Sequence, residues 1–309
     1  MNALRTAITE SSGFRRWART ASGRSILRSP LITGAREMVR RRAIAAARRQ
    51  LPDQFADVRT CFLFVGHTKS GGTLLGSLLD AHPLVMCSDE LGLARVLAAY
   101  GEADSAFRLV ARNSAREARR GRVTSRRLDP YSFQISGQSQ GAADSPVAVG
   151  DSRAGPTTRL LAARGGSLDE LQTVLGGVSL RLIHVIRNPF DPIAVMVLRG
   201  GRDVHDAIAD YRGQCERVSD LIAQMPEGAV TTVRYEDLVE DLPRVLVGVC
   251  RFLGVDADEG YIGACRAVVE AVPRRDRDRI AWDPSSVAAV ESVIEGYAFL
   301  RGYRFEVLR

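Results

Sequence analysis

Lys69 is the only lysine in this chain of 309 residues, and it lies in a glycine-rich segment suited to binding phosphate. Residues 66–73, here called the Lys69 loop, read Gly-His-Thr-Lys-Ser-Gly-Gly-Thr, after the apolar residues 61–65 and before the amphipathic residues 74–79. A strand, a glycine-rich turn and a helix start direct backbone N–H groups at an anion near the positive end of the helix. An ammonium is a compact point charge on a flexible stem, whereas a guanidinium is a rigid fork. The segment therefore predicts a phosphate site with Lys69 as a catalytic cation.

Two adjacent acids, Asp89 and Glu90, are the best candidates for a general base. They follow the first predicted helix after a short segment that could fold back over a bound anion. The alternative is that they cap the helix that we predict from residue 91. We favour Glu90, with Asp89 close behind. Only geometry decides which of two neighbouring acids reaches the proton.

The order Lys-Ser-Gly-x-Thr in the Lys69 loop resembles the 5′-phosphosulfate loop of sulfotransferases that use 3′-phosphoadenosine-5′-phosphosulfate (PAPS). The usual family form is Pro-Arg/Lys-Ser-Gly-Thr-Thr, from which Thr68 and Gly72 depart. Nucleoside-triphosphate loops differ, since they place Lys directly after the last Gly. The resemblance implies donor contacts from one run of residues: Lys69, Ser70, Gly71, Gly72, Thr73 and Leu74. We expect no metal, because a single sulfuryl group carries less charge than a triphosphate.

Later segments extend this resemblance from about residue 58 to about residue 305. Residues 180–191 look like the family's second nucleotide segment, an apolar strand running into Arg-Asn/Asp-Pro-x-Asp, and residues 233–238 match its Arg-Tyr-Glu-Asp-Leu element. By resemblance, Arg187 binds the 3′-phosphate and Tyr235 contacts the adenine. The likeness is to bacterial members, with some to tyrosylprotein sulfotransferases, where a carboxylate in the place of residues 89–90 is the base.

The 3′-phosphate site departs from the family pattern. The family has a serine eight residues after its arginine, whereas this chain has Val195, which cannot donate a hydrogen bond. Losing a hydrogen bond to a charged group costs about 1.5–3 kcal/mol. The family also uses a basic loop near the C-terminus, for which Arg274 and Arg275 are candidates. The same run is equally compatible with solvated Arg–Asp pairs.

Two histidines look structural. His67 lies in the Lys69 loop at the wrong spacing for the histidine base of animal cytosolic sulfotransferases, and we expect it to fix the backbone. His184 lies in the middle of a predicted strand, where we expect a hydrogen-bonded core residue.

Strands that alternate with helices predict an α/β fold, in which a parallel sheet is flanked by helices, and the resemblance implies a P-loop-containing, sulfotransferase-like fold. The pattern predicts strands at 60–65, 147–150, 180–186 and 229–234. It predicts helices at 72–81, 91–100, 107–120, 156–164, 168–175, from about Pro189, and at 203–225, 243–253, 257–271 and 286–300, with a mobile loop at 121–145.

The net charge of +7 is concentrated in residues 1–50, where twelve arginines face only Glu10 and Glu37. We predict a basic N-terminal arm at 1–55, partly disordered or on a membrane surface, and a sulfotransferase domain at 56–309. The scarcity of aromatic residues in the arm argues against a specific nucleic-acid partner.

Five scattered cysteines without metal-ligand spacing indicate reduced thiols, and we see no signal peptide and no membrane-spanning run. We therefore expect a cytoplasmic, peripheral protein, and the preference for Arg over Lys suggests a bacterial genome.

Three functions remain open from the sequence. The first is a PAPS-dependent sulfotransferase acting on an unknown hydroxyl acceptor: a glycolipid, a carbohydrate, a phenol or a peptide. The second is a P-loop small-molecule kinase using ATP, against which the absence of Gly-Lys-Ser/Thr counts. The third is a degenerate family member that binds nucleotide without turnover, a reading that Gly72 and Val195 keep open.

Removing the arm should abolish membrane binding and leave the chemistry intact. Each arginine near an anionic leaflet contributes about 1 kcal/mol, and this attraction is screened by salt. A truncation that starts near Pro52 should therefore no longer sediment with anionic vesicles at low salt, while full-length protein does. Full-length protein that ignores such vesicles would contradict the membrane role, and an unfolded truncation would contradict the domain boundary.

Overall fold

The computed structural model of the protein describes residues 54–123, 132–163, 167–269 and 272–305. The predicted N-terminal arm lies outside the described residues except for its last two positions, so its boundary stays a prediction. The predicted loop at 121–145 is described only in part.

The centre of the fold is one sheet of five strands, all of them parallel to their neighbours. In chain order these are β1 (Thr60–Gly66), β2 (Val85–Ser88), β3 (Ala148–Asp151), β4 (Ser179–Ile186) and β5 (Val230–Arg234). Their order across the sheet is β2-β3-β1-β4-β5. All seven residues of β1 are buried, as expected for a central parallel strand covered on both faces. The predicted α/β fold class is confirmed.

The strands are joined by helices. These are α1 (Gly72–Leu79), α2 (Leu93–Tyr100), α3 (Ala103–Arg119), α4 (Ala154–Ala162), α5 (Ser167–Leu175), α6 (Phe190–Gly200), α7 (Val204–Ala223), α8 (Tyr235–Glu240), α9 (Leu242–Leu253), α10 (Glu259–Arg266) and α11 (Pro284–Gly296). Two 3₁₀ turns cover Asp276–Arg279 and Ala298–Leu300. Within the described residues, none of the helices has the length and apolarity needed to cross a bilayer.

Strand β2 is the largest departure from the predicted elements. Its four residues are all buried, but a run this short carries no clear period in the sequence. Helix α3 begins at Ala103, four residues before its predicted start, and α10 ends at Arg266, before the predicted 271. Helix α8 and the turn Asp276–Arg279 were not predicted. The missed strand matters for function, because it carries the two candidate acids to the edge of the sheet.

Gly150 lets β3 pack closely against β1. It pairs in register with Phe62 on β1. A Cβ at position 150 would overlap both the ring and the backbone oxygen of Phe62, which is fully buried. Strand β3 ends one residue later, at Asp151. The close packing of Gly150 on Phe62 therefore also fixes the position of the Asp151 backbone.

Gly150→Ala should therefore lower the free energy of unfolding by about 1–3 kcal/mol, since overpacking a core forces strands or side chains to shift. Gly248→Ala is the matched control. Gly248 is an exposed residue within α9, and no described atom lies within 4 Å of the Cβ that the change would add. That control should gain about 0.5–1 kcal/mol in urea denaturation. Equal effects of the two substitutions would contradict the close packing.

Candidate active site

The candidate site is a pocket at the carboxyl edge of the sheet. Strand β1 ends in the Lys69 loop, β2 leads to Asp89 and Glu90, β4 leads to Arg187, and β5 leads to Tyr235. Ligands bind at this edge in open parallel sheets, because the loops that follow all the strands meet there. The space between its lining residues, together with the open solvent at its mouth, has a volume of about 850 Å³.

Most of the predicted site residues line this one pocket. They come from five separate parts of the chain: the Lys69 loop with Leu74, Glu90, Arg187, Tyr235 and Arg274. Ser70, within the loop, is buried. The other two predicted residues are engaged elsewhere. The Asp89 carboxylate accepts a hydrogen bond from Ser152, at 2.9 Å, and Arg275 pairs with Asp278, at 2.8 Å.

The backbone φ is positive at three positions of the Lys69 loop. Gly66 has φ 109°, Lys69 has φ 77° and Gly71 has φ 99°. Such a conformation is unfavourable for lysine, and it persists only where the surroundings enforce it. Several contacts hold the loop from outside. Among them, Arg187 Nη1 donates to the Lys69 carbonyl at 3.3 Å, and Gly66 N–H donates to Thr158 Oγ1 at 2.8 Å. Turns of this kind direct successive N–H groups to one side and form anion-binding concavities.

The Ser70 hydroxyl is a hydrogen-bond donor that suits a phosphate group. Ser70 is 1% exposed, and its Oγ has no hydrogen-bond partner among the described residues. Buried hydroxyl groups are nearly always paired, so an unpaired one needs an explanation. A phosphate oxygen held by the Lys69 loop would accept this hydrogen bond. The loop is therefore compatible with the predicted 5′-phosphosulfate group.

Gly71 is required for a second reason besides its φ. A Cβ at this position would lie 2.6 Å from Cδ2 of Tyr235, the first residue of α8. The Arg187 guanidinium carbon in turn lies 4.9 Å from the centre of the Tyr235 ring. The ring thus packs between the Lys69 loop and Arg187 and brings the ends of β1, β4 and β5 together.

The Arg187 guanidinium forms ion pairs with two carboxylates. Its Nη2 donates to the Arg274 carbonyl and lies 3.1 Å from Asp276 Oδ2, while its Nε lies 3.6 Å from Asp191 Oδ2. Asp191 also pairs with Arg277, at 2.7 Å. Both interpretations of residues 273–279 therefore hold. The run forms Arg–Asp pairs, and its residue Arg274 lines the pocket.

Asp151 organises the segment that carries the candidate acids, residues 88–93, here called the acid loop. Its buried carboxylate accepts hydrogen bonds from Ser88 Oγ at 2.6 Å and from three backbone N–H groups: Leu91 at 3.1 Å, Gly92 at 2.8 Å and Leu93 at 3.2 Å. Burial raises the pKa of Asp151 to about 6, although these hydrogen bonds act in the opposite direction. Asp151, and not Asp89 or Glu90, therefore satisfies the N–H groups where α2 begins.

The next two residues hold the acids themselves. Ser152 Oγ donates to Asp89, and Arg153 Nε lies 3.2 Å from Glu90 Oε2. Glu90 has φ 58°, so its backbone is left-handed as well. Glu90 lines the pocket while Asp89 points to Ser152, and this geometry favours Glu90 as the group that meets an acceptor.

The two histidines differ from each other. His67 Nε2 lies 2.8 Å from the Tyr211 carbonyl and its ring stacks on Tyr211 at 3.7 Å, as expected for a residue that fixes the backbone. Burial lowers its pKa to about 4. His184 is buried as predicted, but the expected hydrogen bond was wrong, since neither ring nitrogen has a partner among the described residues. The ring instead packs behind Gly66, where a Cβ would lie 2.7 Å from it.

Sequence reasoning missed several residues that line the pocket, among them Phe133, Ala154 and Arg199. Phe133 belongs to the loop after α3, for which the sequence offered no signal. Arg199 follows Val195 by four residues in α6, so helical spacing could have placed both on one face.

Comparison with known protein families gives a match to the part of the chain that contributes Arg187 and Tyr235 to the pocket. Residues 179–259 match the model of the sulfotransferase family, a segment that contains Arg187, Val195 and Tyr235. The predicted resemblance to sulfotransferases is confirmed. No curated protein sequence matches the chain significantly.

Solved structures of sulfotransferases are also similar to this chain. The sulfotransferase domain of the Synechococcus PCC 7002 olefin synthase is 17% identical, with TM-score 0.47, covering 81% of this chain and 95% of its own. Sulfotransferase STF9 from Mycobacterium avium is 14% identical, with TM-score 0.47, covering 99% and 96%. Mouse sulfotransferase SULT7A1, solved as a complex with PAP, is 10% identical, with TM-score 0.41, covering 80% and 88%. Because these TM-scores are below 0.5, the likeness carries no weight for the function.

Asp151→Asn should loosen the acid loop, because an amide group turns two N–H donors toward the N–H groups that the carboxylate now accepts. Hydrogen–deuterium exchange should become faster in peptides that span residues 89–93 and stay unchanged in peptides from β4 and β5. Asp144→Asn, an exposed loop position, is the control and should change neither. Unchanged protection of the acid loop in Asp151→Asn would show that the carboxylate does not hold it.

Proposed function

We propose that this protein is a PAPS-dependent sulfotransferase, which transfers a sulfuryl group to an acceptor hydroxyl by in-line displacement. The observation that carries the proposal is the pocket itself. The Lys69 loop, with the left-handed backbone of Lys69, and Glu90 line one space. A cation and N–H donors on one side, with a base on the other, are what transfer between two oxygens requires.

Each group then has one role. As the acceptor oxygen attacks the sulfur, its proton passes to Glu90 and the bond from sulfur to the phosphate oxygen breaks. The electron pair of that bond stays on the phosphate, so negative charge grows at the Lys69 loop. The Lys69 ammonium and the loop N–H groups stabilise this charge. Donors fixed before the reaction act strongly, because they do not reorganise during it.

The structure offers one observation against the kinase alternative. Asp151 is the carboxylate at the end of β3, where a nucleoside-triphosphate enzyme would place a magnesium ligand. Its oxygens already accept four hydrogen bonds from the acid loop and Ser88. Mg²⁺ is held by carboxylate oxygens and demands near-ideal octahedral geometry. The arrangement of Asp151 therefore favours sulfuryl transfer over transfer of a phosphoryl group from ATP.

The proposal includes the cellular location of the enzyme and the class of its acceptor. All five cysteines are free and buried, which is compatible with the cytoplasm. The basic residues 1–50, which lie outside the described residues, would hold the enzyme at an anionic membrane surface. The acceptor class stays open among glycolipids, carbohydrates, phenols and peptides, and binding to a membrane would favour a lipid-linked one.

Label transfer tests the proposal most broadly. The protein is incubated with ³⁵S-labelled PAPS and a crude lipid and metabolite extract, and in parallel with ATP labelled at its terminal phosphate. We expect label to enter the extract from PAPS alone. Transfer from ATP would support the kinase, and binding of nucleotide without any transfer would support a non-catalytic family member.

Lys69→Ala should lower turnover at least about a hundredfold, while affinity for adenosine 3′,5′-bisphosphate falls much less. The reason is that the charge which Lys69 stabilises develops only during the reaction. Lys69→Arg should also be impaired, because a planar fork does not replace a compact ammonium in a tight loop. Arg95→Ala, an exposed cation on α2, is the control and should keep full rate. Turnover of Lys69→Ala within tenfold of wild type would contradict the role of Lys69.

Donor recognition is tested by calorimetry with two product-like nucleotides. The protein should bind adenosine 3′,5′-bisphosphate more tightly than 5′-AMP, because Arg187 and Arg274 add positive charge to the pocket beyond the Lys69 loop. Equal affinities for the two nucleotides would contradict PAPS as the donor.

A further inference from the structure

The wall of the pocket formed by α6 is apolar at position 195, where the resemblance to sulfotransferases implies a serine that donates to the 3′-phosphate. Val195 lines the pocket and is 4% exposed. Its side chain is apolar, so it can exclude water but cannot donate to a phosphate oxygen. If the proposed function is correct, and the inference below rests on it, another group must replace that contact.

Arg187 alone is poorly suited to balance a phosphate dianion. Asp276 and Asp191 lie 3.1 and 3.6 Å from its guanidinium nitrogens, and Asp276 itself lines the pocket. A phosphate that reached Arg187 would also approach the Asp276 carboxylate, and like charges at short range repel. The 3′-phosphate therefore needs further positive charge close to Arg187.

Arg199 is placed to supply it. It follows Val195 by four residues within α6, which is about one helical turn, or about 6 Å along the axis. Residues at this spacing lie on the same face of a helix, and both side chains line the pocket together with Arg187 and Arg274. The Arg199 side chain is half-buried, so its charge is screened less than a fully exposed one.

We propose that Arg199 contacts the 3′-phosphate of the donor in place of the residue at position 195, and that it makes this site selective for 3′-phosphorylated nucleotides. Arginine suits the role, because its fork can donate two parallel hydrogen bonds to one phosphate. The long side chain spans the turn between its backbone and the space beside Val195. Arg274 contributes positive charge to the same part of the pocket.

Binding measurements test this without an acceptor. Calorimetry compares adenosine 3′,5′-bisphosphate with 5′-AMP on wild type, Arg199→Gln and Arg202→Gln. Arg202 is an exposed arginine two residues after α6 and pairs with Asp210 at 2.8 Å, so it is the matched control for lost surface charge. Arg199→Gln should lose at least about tenfold in affinity for the bisphosphate and less than about twofold for 5′-AMP. Arg202→Gln should match wild type for both nucleotides.

A rescue variant separates a phosphate contact from a general loss of charge. Val195→Ser combined with Arg199→Gln should regain part of the preference for the bisphosphate, since a hydroxyl returns to the wall of the pocket. Retained affinity for 5′-AMP shows that each variant is folded.

Two outcomes would overturn the inference, and they differ in what else they overturn. If wild type prefers the bisphosphate and Arg199→Gln keeps that preference, Arg199 does not contact the 3′-phosphate, while the proposed donor stands. If wild type binds both nucleotides equally, the proposed donor and the role of Arg199 are both wrong.

Discussion

The site depends on the left-handed backbone of the Lys69 loop. Lys69 and Gly71 both have positive φ, and lysine adopts that conformation only under constraint. The constraint comes from the neighbouring strands, since Arg187 binds the Lys69 carbonyl and Tyr235 packs on Gly71. The shape of the proposed anion site is therefore set by residues that follow β4 and β5, more than a hundred positions along the chain.

A second constraint places an acid opposite this cation. Parallel pairing of β2 with β3 puts Ser88 beside Asp151, at the same edge of the sheet as the Lys69 loop. Three consecutive residues then hold the acid loop: Asp151 binds its backbone, Ser152 binds Asp89, and Arg153 binds Glu90. Loops that follow neighbouring strands carry Lys69 and Glu90, so the sheet sets how far apart their backbones lie.

Much of this arrangement could be predicted from the sequence, because its signals are local. The apolar run before the Lys69 loop and the long apolar strand at β4 predicted the parallel sheet, and the order Lys-Ser-Gly-x-Thr predicted the anion site. What could not be predicted depends on tertiary contacts. Strand β2 is too short to show a period, and the acids that hold Arg187 arrive from α6 and from residue 276, on separate parts of the chain. Whether Glu90 or Asp89 faces the pocket likewise depends on Ser152, sixty positions further on.

The central claim is that the Lys69 loop binds the 5′-phosphate of an adenine nucleotide that also carries a 3′-phosphate. A crystal structure of the protein with adenosine 3′,5′-bisphosphate tests it most directly. The account predicts the 5′-phosphate against the N–H groups of residues 70–73, with the Ser70 hydroxyl donating to it and the Lys69 ammonium beside it. It also predicts that Lys69 and Gly71 keep their positive φ. A nucleotide bound away from this loop, or a loop that rearranges so that the phosphate lies outside it, would contradict the account.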